Sequence, residues 1–242
     1  MNKTITVQIN FFGPYVKKNE IPKILNSKLE RTICAFKRDL LERFFELPSS
    51  ALSPEILERY IEVTTRDLHI SIAPYTEVIS GRLLKPLKAA KKHYCLGDYS
   101  STIACCGIVA EMLTILLWKI HETRLQGQAI TETHEKGLFG RKFEKLEQER
   151  RLKVLRTFGY TNNVQHDMFM AIKNNRNEYL HLWSVDLKNQ RNDSLDTFKK
   201  AFRLFKEITG IGITDASTVR VNPLLIKLFS NTGEKIEKTG DT

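Results

Sequence analysis

The densest concentration of reactive side-chain types in the chain is the run RNEYLH, which places Arg176, Asn177 and His181 within six residues. A neutral imidazole, with a pKa of about 6.5, can accept or deliver a proton near neutral pH. A guanidinium presents a planar fork of donors that matches a phosphate. At about 100° per residue, Val164, Met168, Ala171, Ile172, Tyr179 and Leu182 share one helical face, which is the expected core face. Asn177 and His181, one turn apart, fall on roughly the opposite face with Asn174 and Met170, while Arg176 lies between the two, nearer the core side. His181 is therefore turned outward, and read by itself it is an ordinary surface histidine. His69, His93, His121, His134 and His166 show no metal-ligand spacing, and no GxSxG, HExxH or paired-carboxylate pattern is present.

The elements that must position these groups read as helices. One is expected over residues 78–96, broken at Gly97. Asp98 caps a long one that runs through Tyr99, Ala104, Ile108, Glu111, Leu116 and Ile120. Residues 123–140 are polar, hold three glycines and read as a mobile loop. Residues 141–158, 164–183 and 194–209 supply three more helices, the last ended by Gly210. Residues 219–229 are apolar enough to pack, and residues 230–242 read as a frayed tail. Upstream, residues 4–12 alternate like a short strand up to Gly13-Pro14, and residues 68–72 suit a second. Residues 24–47 have helical spacing, and Ser53-Pro54 opens a helix reaching about Arg66. The expectation is a mainly α protein: an N-terminal extension (1–77) with room for one or two short strands, a bundle of about five helices (78–210), and a C-terminal segment (211–242).

With 242 residues and 41% hydrophobic content, the chain can bury a real core. Lys and Arg total 38 against 28 acids, for a net charge of +10, which favours a polyanionic partner, either nucleic acid or an acidic membrane surface. MNKTITVQINFFGPY lacks the apolar stretch and cleavage site of a secretory signal. Residues 103–118 come nearest to a membrane span, but Glu111 in mid-stretch would cost about 2.5 kcal/mol or more at bilayer depth. They read as a core helix, and no membrane association is expected. Cys34, Cys95, Cys105 and Cys106 lack ligand spacing and read as apolar core residues in a reducing, cytoplasmic setting.

Arg176-Asn177-Glu178-Tyr179-Leu180-His181 resembles the Arg-polar-x-x-x-His signature of HEPN domains, including the asparagine that many of them place second. It falls late in the fourth of five expected helices. The long helix before it carries an inward-looking Glu111, as similar domains do. The resemblance covers residues 80–210. It implies an endoribonuclease that needs no metal or other cofactor and works as a homodimer, with two motif helices facing each other across a cleft. RNA supplies the nucleophile, its 2′-OH. His181 would remove that proton, Arg176 would bind the scissile phosphate and offset transition-state charge, and Asn177 would orient the imidazole or bond the phosphate. The partner subunit's His181 would protonate the 5′-oxygen, leaving 2′,3′-cyclic phosphate and 5′-hydroxyl ends. A toxin or antiviral effector, with an antitoxin or defence-system partner protein, is among the settings implied. Some HEPN toxins extend the motif to His-x-Tyr and are silenced by nucleotidylation of that tyrosine. Trp183 stands there in this chain, which argues against that route.

Residues 141–156 carry seven basic and three acidic side chains. Arg141, Lys142, Lys145, Arg150 and Arg151 form a candidate RNA track, extended by Lys199, Lys200, Arg203 and Lys206; the plainer reading is a solvated face with i,i+4 ion pairs. Two other functions fit the same residues: a HEPN domain that binds RNA or nucleotide, or dimerises as an adaptor, without cutting; and a basic helical scaffold for protein partners.

Overall fold

The computed structural model describes residues 6–9, 12–26, 32–64, 72–75, 79–122, 124–125, 128–181, 186–210, 212–213 and 219–231. It is a mainly α-helical bundle built around one long apolar helix. Near the N-terminus are α1 (Ile21–Asn26), α2 (Ile33–Phe45) and α3 (Pro54–Val63). A π turn at Ser80–Leu84 leads into α4 (Lys85–Leu96), followed by α5 (Tyr99–Ile120). Then come α6 (Glu132–Phe139), α7 (Gln148–Thr157), α8 (Asn163–His181), α9 (Gln190–Thr209) and α10 (Pro223–Asn231).

The turn between α4 and α5 is written in two residues. Gly97 takes φ 84°, the left-handed conformation that only glycine adopts without steric cost. Asp98 then accepts a hydrogen bond from the Ser101 amide at 3.1 Å, satisfying one of the free donors at the start of α5. From there α5 runs through the centre of the bundle, with α4, α7, α8 and α9 packed around it. It is long and apolar enough to cross a membrane, yet 61% of its most apolar 18-residue window is buried inside the fold. Its bearing is that of a core helix.

The N-terminal third shares that core. Buried apolar side chains form one contiguous cluster from Phe12 to Leu225, so the expected boundary at 77/78 divides nothing in the interior. Phe12 packs edge-on against Phe202 of α9, with ring centroids 5.3 Å apart. Gly13, at φ 83°, lies so close beneath Tyr60 of α3 that a Cβ would stand 2.5 Å from the phenol oxygen. The Tyr60 hydroxyl donates to the Pro14 carbonyl at 2.6 Å. Lys91 of α4, only 2% exposed, donates to the Phe12 carbonyl at 2.7 Å and lies 4.1 Å from the centre of the Tyr60 ring. Three residues further along α4, Tyr94 donates to Glu62 of α3, which also accepts from Arg191 at the start of α9, both at 2.8 Å.

Several elements differ from the sequence reading. The stretch 24–47 is not one helix, because Thr32 is extended and caps a new one at Ile33, accepting from the Ala35 amide at 3.2 Å. Its expected apolar stripe is only partly buried: Leu41 and Phe44 are inside, whereas Ile33 and Phe36 are exposed. The first strand is β1 (Thr6–Ile9), paired antiparallel with β2 (Ile72–Tyr75), which begins where the expected second strand would end. Residues 65–71 lie outside the described residues, as do Leu182, Trp183 and the tail 232–242.

The stretch expected to be a loop at 123–140 contains a short hairpin, β3 (Arg124–Leu125) with β4 (Gln128–Ala129), and then α6. Thr131 caps α6 and Gly140, at φ 76°, closes it. What holds α6 in place is Glu135, which accepts from Trp118 Nε1 of α5 at 2.6 Å and from the Phe143 amide at 2.9 Å. Phe143 stacks flat on Trp118, with centroids 4.4 Å apart, and Leu146 is buried beside an extended backbone. These anchors keep residues 141–147 out of a helix except for one 3-10 turn, Phe143–Lys145, so α7 starts only at Gln148.

Candidate functional site

On α8 the buried face is Met168, Phe169 and Ile172. Val164, expected inside, is exposed, and Ala171 and Tyr179 are half-buried. The face is turned by the largest apolar side chain of the helix, Phe169, which is fully buried. Seven residues on from Phe169, two turns within about 20°, comes Arg176, so the arginine points toward the neighbouring helix rather than straight into solvent.

That neighbour is α5. The Arg176 side chain lies across Gly107, where a Cβ would come within 2.5 Å of its Cδ and 3.4 Å of its Nε. One turn further along α5, Glu111 takes the guanidinium in an ion pair through Nη1 and Oε1. The two side chains remain 30% and 29% exposed, so the pair sits at the rim of the bundle where an anion can reach the arginine. Gly107 and Glu111, four residues apart, act as seat and clasp for one side chain.

Asn177 and His181 are both exposed, as expected, one turn apart on the outer face of α8 with the exposed Asn174. Met170, placed with them by the helical wheel, is instead half-buried and packs against the core. Arg176 and His181, five residues apart, are about 140° apart around the helix. Within one chain they therefore flank α8 rather than converge on one point. Other contacts of this segment hold α8 to α9: Tyr179 donates to Asp193, and Asn175 donates to Thr197 Oγ1 at 2.8 Å. Desolvation, followed by the Asp193 carboxylate, pushes the Tyr179 phenol well above its ordinary range, so it stays a neutral donor.

The expected basic track does not form as one strip. Arg141, Lys145 and Arg150 are exposed, while Lys142 is half-buried and paired with Glu132 at 2.7 Å. Arg151 is a correction: it is 4% exposed and lies under the surface, not along it. The reason is periodicity. Gln148, Arg151, Leu152 and Leu155 form the i, i+3, i+4, i+7 stripe that α7 buries. The Arg151 Nε has no hydrogen-bond partner among the described residues, and burial pulls the guanidinium pKa down against the opposing pull of Glu111. Glu111, read from sequence as inward-looking, is half-buried at the rim; the burial of Arg151 was available from helical counting but was masked by the run of charge around it.

Elsewhere the charges are largely satisfied locally. Glu149 of α7 bridges Lys173 of α8 at 2.7 Å and Lys153 at 3.1 Å, and these two lysines hold its carboxyl down to about 2. On α9, Lys200 pairs with Asp196, and Arg203 with Glu207 at 2.8 Å. A depression of about 440 Å³ opens beside Trp118, lined by Lys119, Glu122, Glu135 and Lys142, and none of Arg176, Asn177 or His181 borders it. Among the described residues no three His, Cys, Asp or Glu side chains are grouped so as to hold a metal ion.

Comparison with family models, curated proteins and solved structures finds no match to this chain. The geometry around α8 therefore has to speak through its own chemistry.

Proposed function

We propose that the chain is a HEPN-type endoribonuclease, cytoplasmic and homodimeric, that cuts RNA through 2′-OH attack without a metal. The observation that carries this reading is the pairing on α8 of a pre-oriented guanidinium with an exposed imidazole. Arg176 is seated on Gly107 and held by Glu111, while Asn177 and His181 stand free of the core on the adjoining face. A guanidinium already placed loses little rotamer freedom when a phosphate arrives. His181 takes the 2′-OH proton, and Arg176 stabilises the charge that develops on the phosphorane. Because the two side chains diverge around the helix by about 140°, a second copy of α8 is the natural source of the acid that protonates the leaving 5′-oxygen. A toxin or antiviral effector, controlled by a partner protein, is the setting this chemistry suits.

A second reading rests on the same ion pair. Glu111 neutralises Arg176 in the free protein, which suits a domain that binds RNA or nucleotide, or dimerises as an adaptor, without cutting. One experiment separates them: incubation of the full chain with end-labelled single-stranded RNA in EDTA. The enzyme produces fragments with 2′,3′-cyclic phosphate ends, and these disappear in His181→Ala. Intact RNA in a bound complex would replace the first reading by the second.

A further inference from the structure

The two halves of the Arg176–His181 motif are held by different neighbours. Arg176 is fixed to α5 by the Gly107 seat and the Glu111 ion pair. The residues after it, Asn177 to His181, form the last turn of α8, and a helix end frays unless something ties it down. Asn177, Glu178, Leu180 and His181 are all exposed. Tyr179 differs: it is half-buried and donates to the Asp193 carboxylate of α9. Among the described residues, no other side chain of that turn makes a hydrogen bond to a neighbouring helix.

A second bond between the same helices lies one turn earlier. Asn175 donates to Thr197 Oγ1 at 2.8 Å, so Asn175–Thr197 and Tyr179–Asp193 are successive rungs between antiparallel helices. The earlier rung precedes Arg176 and adjoins the stretch that Met168, Phe169 and Ile172 already bury. The later rung holds the turn that carries His181. We propose that Tyr179 and Asp193 are positioning residues for His181, fixing its place through α9 independently of the α5 contacts that fix Arg176. This rests on the reading of His181 as the group that takes the 2′-OH proton, and it divides the site: phosphate binding is anchored to α5, proton transfer to α9. Proton transfer needs the imidazole within hydrogen-bond reach of the hydroxyl, and a misplacement of about 1 Å costs on the order of 10²-fold in rate. Neither Tyr179 nor Asp193 has to touch RNA.

The test uses substitutions in the full chain. Tyr179→Phe removes the hydroxyl and keeps the ring, Asp193→Asn keeps an acceptor oxygen, and Asn175→Ala cuts the earlier rung for comparison. Each is measured by single-turnover cleavage of end-labelled RNA at saturating protein, by unfolding midpoint, and by amide hydrogen exchange along α8. Binding is read by anisotropy with a fully 2′-O-methylated single-stranded oligonucleotide, which has no nucleophile and cannot be cut. Tyr179→Phe is expected to speed exchange of the 177–181 amides and leave those of 163–172 as in the wild type. Its single-turnover rate should fall by about tenfold or more, with probe affinity unchanged. Asp193→Asn should retain part of the rate. In an Asp193→Ala background Tyr179→Phe should cost nothing further, because the bond is already gone. Asn175→Ala should lower the midpoint and keep the rate. Losses of rate in Tyr179→Phe and Asn175→Ala that simply follow their losses of midpoint would make both rungs ordinary structural bonds and overturn the proposal. So would a full rate in Tyr179→Phe, or a loss of probe affinity as large as the loss of rate.

His181→Ala separates this from the functional reading. If that variant cuts like the wild type, or the wild type cuts nothing, His181 is not the base and the ribonuclease reading falls. The anchoring is then judged by exchange alone. Acceleration confined to residues 177–181 in Tyr179→Phe upholds the tie of that turn to α9, and exchange like that of the wild type overturns it.

Discussion

Gly107 of α5 and Arg176 of α8 are in contact through the space where a side chain would be: a Cβ at 107 would lie 2.5 Å from the arginine Cδ. Gly107→Ala therefore sets two effects against each other. Replacing a mid-helix glycine gains about 1 kcal/mol in helix propensity, while crowding forces Arg176 off its seat and away from Glu111. The expected outcome is an unfolding midpoint within about 4 °C of wild type, with RNA cleavage reduced at least tenfold. A variant that keeps full activity would show that the seat is irrelevant to the site.

His181→Ala removes an exposed ring at the last residue of α8. Little packing is lost, so circular dichroism and the melting curve should be those of the wild type. A general acid–base group contributes about 10²–10⁴-fold, and the cleavage rate should fall by that much at saturating RNA. Arg176→Lys provides the companion measurement. It keeps the charge and loses the fork, so single-turnover cleavage should drop much more than RNA affinity does.

Lys91 makes stability depend on pH in an unusual direction. Its burial brings the ammonium pKa down from 10.5 to about 7, while in the unfolded chain it stays protonated. Between these values the unfolded state binds more protons, so stability rises as pH rises, by at most about 1.4 kcal/mol per unit. Tyr60 and Cys95 face the same cluster; burial pushes the Cys95 thiol up to about 12 and the phenol higher still. Both therefore ionise first in the unfolded chain and oppose the trend at higher pH. The clean window is roughly pH 7–8.5. Urea unfolding across it should show a rise in wild type that Lys91→Met abolishes. Parallel curves for the two proteins would mean that Lys91 does not titrate there.

Arg141, Lys145 and Arg150 are the exposed members of the expected basic track. Where they touch RNA, they act by counterion release and are blind to sequence. Changing two of them to glutamine should weaken binding and reduce the salt slope by about 0.7 per lost single-strand contact. The cleavage rate of bound RNA should not move. An unchanged salt slope would remove this surface from the RNA path.

The sequence yielded most about the helices whose ends are chemically marked. Gly97-Asp98 and Ser53-Pro54 mark helix boundaries by the backbone freedom of glycine and by capping side chains, and the structure has them. It yielded least where tertiary anchors override local pattern. Nothing in residues 123–147 announces that Glu135 will tie Trp118 to Phe143, and it is this tie that puts a helix at 132–139 and delays α7. At the site, the outward bearing of Asn177 and His181 followed from counting alone. Counting also put Arg176 between the faces and nearer the core, where it is half-buried; its partners Gly107 and Glu111 were not legible, because they lie some 65–70 positions earlier in the chain and are adjacent only after folding. The burial of Arg151 was legible in the stripe it shares with Leu152 and Leu155, once charge is set aside in favour of spacing.

The bond from Lys91 to the Phe12 carbonyl, with Gly13 tucked beneath Tyr60, bears on how such a protein can change over time. A fragment beginning near residue 78 would carry the whole motif helix and the helices around it. It would also carry Lys91 without its acceptor and Phe202 without the ring that covers it. The motif helices therefore do not form a cassette that recombination can lift out and splice onto a new recognition unit. Novel specificity would have to be acquired by drift within surface positions, or by additions that leave the stretch from Phe12 onward whole.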